Sequence, residues 1–400
     1  MVKTMTPTTG KPNEPTLDQW RVLYDLAARI KKMEPWEWMN EADIFGIRDP
    51  LTNEVGFVSV MGLLGEHVAI AFYPTAAATR QFLQIEEDAE IGDGDIDPTK
   101  LLEIPKLELS FEDADLIEKE DKAIHKKLGL KFRGPQGYSH FRSHAAGMFP
   151  WFLTADEARL MTIVLEQLLD VAARCEKNDE LLFPDEEVSL DSRYLVREPN
   201  AQGEWHDTAQ ILPVVTTTKP RHELSAESLA ALNKLPRADR AVEIELQMTP
   251  FPTADQKGER PCFPYMLLVA DEQSGMLLAM ELLEPRPSLE ALFARIPPLL
   301  ADKFIEAGAI PQRLRVRSDR VGDLLEPLAE QLHIHLRQSA KLKAIDNAMG
   351  FLGEQLLGQL GEDGDDDDAD DLDDDFDMNT LGGLLGGGLT LSALGKPRKK

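Results

Sequence analysis

Cysteine is almost absent from the sequence. Cys175 and Cys262 are the only two cysteines among 400 residues. Two cysteines cannot build a disulfide framework or a cysteine-rich zinc site. This sparse usage is typical of proteins that fold in a reducing compartment, and we therefore expect a cytoplasmic location.

Long apolar runs and an excess of basic charge are also lacking. No run approaches the roughly 20 apolar residues that cross a bilayer, so we expect no membrane-spanning segment. The first residues lack the apolar core of a secretory signal, so we expect no such signal. The chain carries 43 basic and 71 acidic residues, which gives a formal net charge of −28. No region is basic, and this argues against partners such as nucleic acid or an anionic membrane.

The residues that are present indicate two folded regions between two polar ends. Hydrophobic residues make up 42% of the sequence, which is enough to form buried cores. Shifts in composition predict a disordered lead at 1–15, an α+β domain at 16–240, a second domain at 241–360 and a disordered tail at 361–400. The tail holds 12 acidic and 4 basic residues, and its aspartate run precedes a glycine- and leucine-rich stretch.

The N-terminal domain is predicted to combine helices with an antiparallel meander. Thr16 with Gln19, and Thr154 with Glu157, have the capping-box spacing of helix N-termini. Apolar residues at helical spacing follow each box, and short apolar runs between turn residues predict strands. The predicted elements are a helix from 16 to before Pro35, strands at 43–48, 55–61 and 67–73, a helix at 75–85, a strand at 106–111, helices at 112–128 and 155–177, and a hairpin at 192–215.

The second domain is predicted to be α/β, with the element order β-β-β-α-β-α-β-α. Pro297 and Pro298 fall inside its first helix and are expected to break or kink it. The predicted elements are strands at 242–248, 264–270 and 276–283, a helix at 288–307, a strand at 313–317, a helix at 320–331, a strand at 332–336 and a helix at 339–360.

This order resembles the RNase H-like superfamily, in particular the integrase and transposase core. The resemblance also lies in the phrases QMTPFP on the first strand, PYMLLVADEQSGMLLAMEL in the hairpin and RLRVRSD on the fourth strand. Members of that family use carboxylates on the first strand, at the end of the fourth strand and on a late helix to hold two divalent metals. The resemblance thus implies phosphoryl-transfer chemistry wherever the carboxylates are complete.

The carboxylates of such a site match only in part. Asp319 matches the acid at the end of the fourth strand, and Glu354 lies at the spacing of the late-helix acid. Met248 stands where the first-strand aspartate is expected, while Glu243 and Glu245 share a face of that strand but come too early. We therefore expect a degenerate RNase H-like domain. Asp319, Glu354, Glu245 and Glu243 are the candidate catalytic residues under the nuclease alternative.

Two further sets of side chains could bind ions on the later strands. Arg313, Arg315 and Arg317 alternate along the fourth strand and so share a face. This pattern indicates either an anion-binding patch or arginines that pair with neighbouring acids. His333 and His335 share a face of the predicted last strand and could ligate a metal, although a half-exposed edge strand explains them as well.

A histidine-containing segment of the N-terminal domain is the remaining candidate for chemistry. His140 and His144 lie next to Ser139 and Ser143, and a serine–histidine pair is typical of a nucleophile with its base. No glycine-framed nucleophile elbow surrounds either serine. The segment is therefore expected to be a structured loop that packs on Trp151. There is no glycine-rich phosphate loop, so no nucleotide cofactor is expected.

A second resemblance covers residues 16–360. It rests on PWEWMNEADIFGIRDPLTNEVGFVSVMGLLGEHVAIAFY and KFRGPQGYSHFRSHAAGMFPWFLTADEARLMTIVLEQLL, together with the hairpin phrase of the second domain. These phrases resemble an uncharacterised bacterial family with two paired domains of unknown function. The resemblance implies a two-domain organisation and brings no activity with it.

Three functions are compatible with these observations. The first is a cytosolic, non-catalytic protein that acts through protein or small-ligand contacts and needs no cofactor. The second is a metal-dependent nuclease or phosphoryl-transfer enzyme, the only one of the three that requires a divalent metal. In the third, the acidic tail mimics nucleic acid and binds basic partners, or it simply keeps the protein in solution.

Overall fold

The computed structural model describes two compact units. The described residues are 13–63, 67–91, 98–182, 192–214, 224–254, 256 and 258–351. We call unit 1 the described parts of 13–145 and 150–214, and unit 2 the described parts of 146–149 and 224–351. Each unit is mixed α/β and contains one sheet, as the sequence indicated. Most of the predicted lead and the whole predicted tail lie outside the described residues.

Unit 1 is built on a seven-stranded sheet of order β5-β4-β3-β2-β1-β6-β7. Neighbouring strands are antiparallel except β1 and β6, which are parallel. Its helices and strands are α1 (Leu17–Met33), β1 (Phe45–Arg48), β2 (Val55–Met61), β3 (Ala69–Tyr73), α2 (Ala76–Ile91), β4 (Lys106–Glu112), α3 (Lys119–Leu128), β5 (Tyr138–His144), α4 (Ala155–Cys175), β6 (Arg193–Pro199) and β7 (Trp205–Ile211).

Two apolar clusters hold the helices of unit 1 against its sheet. Both predicted capping boxes are confirmed at the starts of α1 and α4. The two helices pack on each other, and their apolar sides join strand residues such as Val58, Leu109 and Phe141 in the larger cluster. Phe82 of α2 belongs to a second cluster with Phe57 and other strand residues. Because strand side chains alternate in direction, the two clusters lie on opposite faces of the sheet.

Several predicted boundaries in unit 1 were wrong. The helix predicted at 112–128 begins only at Lys119, because β4 continues to Glu112 and a short 3₁₀ turn, Ala114–Leu116, intervenes. The helix predicted to end near residue 85 continues to Ile91 through a glutamate- and alanine-containing segment that favours helix. The segment expected to be a loop is strand β5, which pairs with β4 along its whole length.

Unit 2 is built on a five-stranded sheet of order β10-β9-β8-β11-β12. The pairs β10–β9 and β9–β8 are antiparallel, whereas β11 is parallel to both β8 and β12. The elements are α5 (Ala226–Leu232), β8 (Arg237–Met248), β9 (Tyr265–Asp271), β10 (Leu277–Leu283), α6 (Leu289–Ala307), β11 (Ile310–Val316), α7 (Asp319–Gln331) and β12 (His335–Gln338). Residues 343–351 are also helical.

Of the two predicted effects of Pro297 and Pro298 on α6, a break or a kink, the break was wrong. The helix runs without interruption through Pro297 and Pro298. A proline inside a helix costs about 3 kcal/mol because it removes a backbone donor and crowds the preceding turn. Leu292, Ile296 and Leu300 share one face of this helix and are fully buried, and burial of such side chains is worth about 1.5–3 kcal/mol each. The packing of α6 therefore outweighs the local penalty.

Neither cysteine is an activated nucleophile. Cys175 and Cys262 are both free and buried. Burial raises the pKa of Cys175 to about 11 and also raises that of Cys262. Both thiols are therefore protonated at neutral pH.

No helix in the described ranges is both long enough and apolar enough to cross a membrane.

Candidate functional site

The predicted nuclease carboxylates do not form one cluster among the described residues. Asp319 is the first residue of α7 and is exposed to solvent. Glu354 lies outside the described residues. Glu243 and Glu245 both lie on β8, and both are buried.

Glu243 binds the start of the last described helix. Its Oε2 accepts hydrogen bonds from the backbone N–H groups of Ala344, at 2.8 Å, and Ile345, at 3.1 Å. The first amides of a helix have no partner within the helix and carry a partial positive charge, so a carboxylate there is stabilising. Glu243 is 1% exposed, and its geometry is that of a structural helix cap.

Glu245 is held by an arginine that also holds a second carboxylate. Arg317 follows the last residue of β11, and its Nε donates to Glu245 Oε2 at 2.6 Å. Its Nη2 donates to Asp346 Oδ1 at 2.5 Å, and its Nη1 donates to the backbone oxygen of Ala340 at 3.2 Å. The bonds to Asp346 and Glu245 raise the pKa of Arg317 above its ordinary value. The first strand, the end of the fourth strand and the last described helix thus meet at a guanidinium.

The other two arginines of β11 are also paired with acids. Arg315 Nη1 lies 2.7 Å from Glu272 Oε1, and Arg313 Nη2 lies 3.1 Å from Asp239 Oδ1. Pairing with acids was one of the two alternatives that the sequence allowed for these arginines, and an anion-binding patch was the other. The anion-binding patch of Arg313, Arg315 and Arg317 stays a prediction.

The expected histidine pair on the last strand is not formed. His333 has a positive φ of 51° in the turn after α7, whereas His335 is the first residue of β12. The predicted strand at 332–336 was placed too early, because Leu332 and Ile334 are bonded to the end of α7. His333 and His335 therefore do not share a strand face.

A buried polar surface lies on β4 and β5 of unit 1. Strand alternation and the pairing register place six polar side chains on one face of these two strands. We call this surface the β4–β5 polar face, and it consists of Lys106, Glu108, Ser110, His140, Arg142 and His144. Burial of so many polar groups costs free energy unless they are paired, and such clusters are concentrated at functional sites.

One half of the β4–β5 polar face is centred on Glu108. Lys106 Nζ lies 2.5 Å from Glu108 Oε2, and His144 Nε2 lies 3.6 Å from Oε1. Burial alone would raise the pKa of the Glu108 carboxyl, but Lys106 and His144 outweigh burial and hold it well below its ordinary value. Glu108 is therefore an ionised carboxylate whose charge is balanced inside the protein by Lys106.

The other half joins two acids of the α3 region to β5. Arg142 binds Asp121 through two bonds, Nη1 to Oδ1 at 3.2 Å and Nη2 to Oδ2 at 2.6 Å, and its Nη2 also pairs with Glu118. The guanidinium lies over the ring of Phe152, 4.6 Å from its centroid. His140 Nε2 lies 3.7 Å from Asp121 Oδ2 and 3.9 Å from Glu118 Oε2.

Burial shifts the pKa values of this half strongly. Burial raises the pKa of Asp121 to about 6 and lowers that of Arg142 to about 9. Burial also lowers the pKa of the neighbouring His125 to about 4. His125 is therefore neutral at pH 7, and its Nε2 lies 2.9 Å from Tyr24 Oη.

The serine–histidine pair, which was the chemical alternative to a structured loop at this segment, is not formed. Ser139 and Ser143 point to the opposite face of β5 from His140 and His144, because neighbouring strand residues alternate. Ser143 Oγ donates to Glu157 Oε1 at 2.6 Å, at the start of α4. The sequence signal that was missed is the alternation of YSHFRSH around the buried Phe141, which is typical of a strand.

A partly buried carboxylate elsewhere in unit 1 leads to a pH-dependent prediction. Burial and the nearby Glu86 raise the pKa of Glu41 from 4.5 to about 7. Between these two values the unfolded chain ionises at this position while the folded chain stays neutral, so folding becomes less favourable as the pH rises. Above pH 7 the full penalty is present.

Replacement of Glu41 by glutamine should therefore stabilise unit 1 above pH 7 and have little effect below pH 4.5. We expect a gain of roughly 1 kcal/mol after allowance for partial solvent screening. Urea melts followed by tryptophan fluorescence measure it, since all five tryptophans belong to unit 1. Glu54→Gln changes an exposed carboxylate and provides the control for loss of one charge. An equal gain at low and high pH would contradict the prediction.

Comparison with known proteins finds two successive domains in the chain, as the sequence resemblance implied. Residues 20–197 match a family model described as Domain of unknown function (DUF7309), and residues 228–352 match one described as Domain of unknown function (DUF6930). The expectation of two paired domains of unknown function is thus confirmed. No curated protein matches the chain. The Arg317 cluster and the β4–β5 polar face each fall within a matched range.

Proposed function

We propose that the chain is a cytoplasmic, non-catalytic protein that acts through protein or small-ligand contacts, and that its unit 2 is a degenerate RNase H-like domain. The sheet order β10-β9-β8-β11-β12 supports the fold assignment, because the chain's first strand in this sheet is central and its last strand is an edge. The change from antiparallel to parallel pairing at β8 agrees with the same fold.

One observation carries the non-catalytic part of the proposal. Arg317 bridges Glu245 and Asp346, which lie on the first strand and on the last described helix. In the family that unit 2 resembles, carboxylates from these elements hold the catalytic metals. Here a guanidinium pairs with both carboxylates.

The arginine also disfavours metal binding for an electrostatic reason. The bonds to Asp346 and Glu245 raise the already high pKa of Arg317, so this guanidinium stays protonated and cannot give up its charge to admit a divalent cation. A metal that bound Glu245 and Asp346 would have to displace Arg317 from its hydrogen bonds to these two carboxylates. The exposed Asp319 is not among the groups that Arg317 binds, so it adds no third ligand to this cluster.

The proposal is tested by the response of unit 2 to Mg²⁺ and Mn²⁺. Cys262 is buried in unit 2 and Cys175 in unit 1, so thiol labelling resolved by peptide mass mapping reports the unfolding of each unit. We expect neither metal to slow labelling of Cys262 in the natural chain. In Arg317→Gln, where two carboxylates lose their partner, labelling should be faster without metal and slowed by Mn²⁺.

The nuclease alternative makes the opposite prediction. It requires Mn²⁺ to protect Cys262 in the natural chain and this protection to vanish in Asp319→Asn. It also requires Mn²⁺-dependent cleavage of DNA, RNA or a hybrid that is lost in both Asp319→Asn and Glu354→Gln. Either result would overturn the non-catalytic proposal, and exposed Asp323→Asn is the matched control on the same helix.

A further inference from the structure

Three potential metal ligands converge at the α3 end of the β4–β5 polar face. They are Glu118, Asp121 and His140, and one ligand atom of each lies within 4.8 Å of the other two. The set is separate from the Arg317 cluster and belongs wholly to unit 1. Asp121 is 2% exposed and His140 is 9% exposed, so two of the three ligands are held by packing.

His140 is the observation that distinguishes this set from an ordinary acidic cluster. Its Nε2 is buried and makes no hydrogen bond within the part of the chain that the structure describes. A buried ring nitrogen without a hydrogen bond costs free energy, and a ligand that satisfies it repays that cost. Nε2 is directed at the same two carboxylate oxygens, at 3.7 and 3.9 Å.

We propose that Glu118, Asp121 and His140 form a binding site for a divalent transition metal such as zinc. One imidazole nitrogen with two carboxylate oxygens is a donor set that zinc accepts, and a fourth position would remain for water. Imidazole disfavours magnesium and calcium, which prefer oxygen ligands alone. The distances between the ligand atoms allow one ion to reach all three with small side-chain rotations.

Arg142 is the group that a metal must accommodate. Its Nη2 now binds Asp121 Oδ2 and Glu118. Glu118 is 44% exposed along its side chain, so it is free to rotate from the guanidinium to an ion and it opens the site to solvent. Asp121 Oδ1 keeps its own bond from Arg142 Nη1. Arg142 would then orient the Asp121 ligand, as hydrogen-bonding partners of ligating side chains do around many metal sites.

The test is calorimetric titration of the full chain with ZnCl₂ in an excess of Mg²⁺. The magnesium occupies weak sites made of aspartate oxygens, including those of the acidic run after residue 361. We expect the natural chain to bind one equivalent more zinc than His140→Asn does. Glu118→Gln, which changes an exposed side chain and leaves the core intact, should weaken that equivalent by at least about tenfold.

His206→Asn is the matched control. His206 Nε2 lies 3.7 Å from Glu198 Oε1, which is the same histidine–carboxylate contact without a third ligand. It should leave zinc binding unchanged. Melting curves without metal identify any variant that fails to fold, and Glu118→Gln keeps the test decisive if His140→Asn is such a variant. Zinc binding that is equal in the natural chain, Glu118→Gln and every folded His140 variant would overturn the proposal, as would no binding by the natural chain.

Discussion

Replacement of Arg142 by leucine is expected to destabilise unit 1 by about 3–5 kcal/mol, the cost of removing one partner of a buried ion pair. Arg142 is 3% exposed and neutralises Asp121, which is also buried. Without the guanidinium, Asp121 must either keep an uncompensated charge in the interior or take up a proton. Both outcomes cost free energy in the folded state and none in the unfolded chain.

Tryptophan fluorescence during urea unfolding measures this loss selectively. All five tryptophans belong to unit 1, so unit 2 does not contribute to the signal. Arg21→Leu is the control, because Arg21 pairs with Asp18 at the surface and both side chains are largely exposed. Exposed pairs are worth about 0–1 kcal/mol. Equal losses in the two variants would show that burial does not determine the strength of the Arg142 pair.

A double variant separates the lost charge from the lost packing. Asp121→Asn in the Arg142→Leu background removes the carboxylate that the first change left unpaired. We expect the double variant to recover part of the stability, because a neutral amide is less costly to bury than an unpaired carboxylate. If the charge is not the cause, the two losses should add instead.

Arginine is the common element of the two clusters, and histidine is the difference between them. Arg317 and Arg142 each bind two carboxylates of their own unit. The two at Arg317 come from β8 and the last described helix, and the two at Arg142 both come from the start of α3. Around Arg317 the described partners are all oxygens. Beside Arg142 the buried imidazole of His140 adds a ring nitrogen that makes no hydrogen bond among the described residues. This contrast is why we propose a metal site in unit 1 and, in unit 2, a pair of carboxylates that Arg317 keeps from binding metal.

Local chemistry made much of the fold predictable. The capping boxes of Thr16 and Thr154 placed the starts of α1 and α4 correctly, because the bonds that stabilise a helix N-terminus span only three residues. Apolar runs between turn residues likewise located the meander β1–β3 and the hairpin β9–β10. In these elements, the sequence pattern and the tertiary packing favour the same conformation.

The misses follow from contacts between residues distant in sequence. Strand β5 has one large apolar residue, Phe141, amid polar side chains, and those side chains are buried only because α3 and β4 bring partners to them. Nothing near Arg317 in the sequence indicates that Glu245, 72 residues earlier, will bind it. Matching carboxylates to the pattern of the resembled family therefore selected Asp319 after the fourth strand and Glu354 on the last helix, and it did not select Asp346, which reaches the cluster.

Replacement of Glu243 by alanine should destabilise unit 2 by about 2–4 kcal/mol. The change leaves the amides of Ala344 and Ile345 without their acceptor at the start of the last described helix. It also removes a side chain that is 1% exposed. Because Ala344 and Ile345 pack in a cluster with Leu268 and Leu342, loss of the cap should loosen this helix from the sheet.

Glu243→Gln is the matched variant, since glutamine keeps an oxygen acceptor of similar size and lacks only the charge. We expect it to cost about 1 kcal/mol, the difference between a charged and a neutral acceptor. Protection of Cys262 from labelling measures both variants in unit 2. The nuclease alternative predicts a different effect of the two variants on stability. A metal ligand in an acidic site without metal repels its acidic neighbours, so both variants would leave stability unchanged or raise it in the absence of metal. A large loss of stability in Glu243→Ala and a small loss in Glu243→Gln therefore assigns Glu243 a structural role in unit 2 and removes it from the candidate catalytic carboxylates.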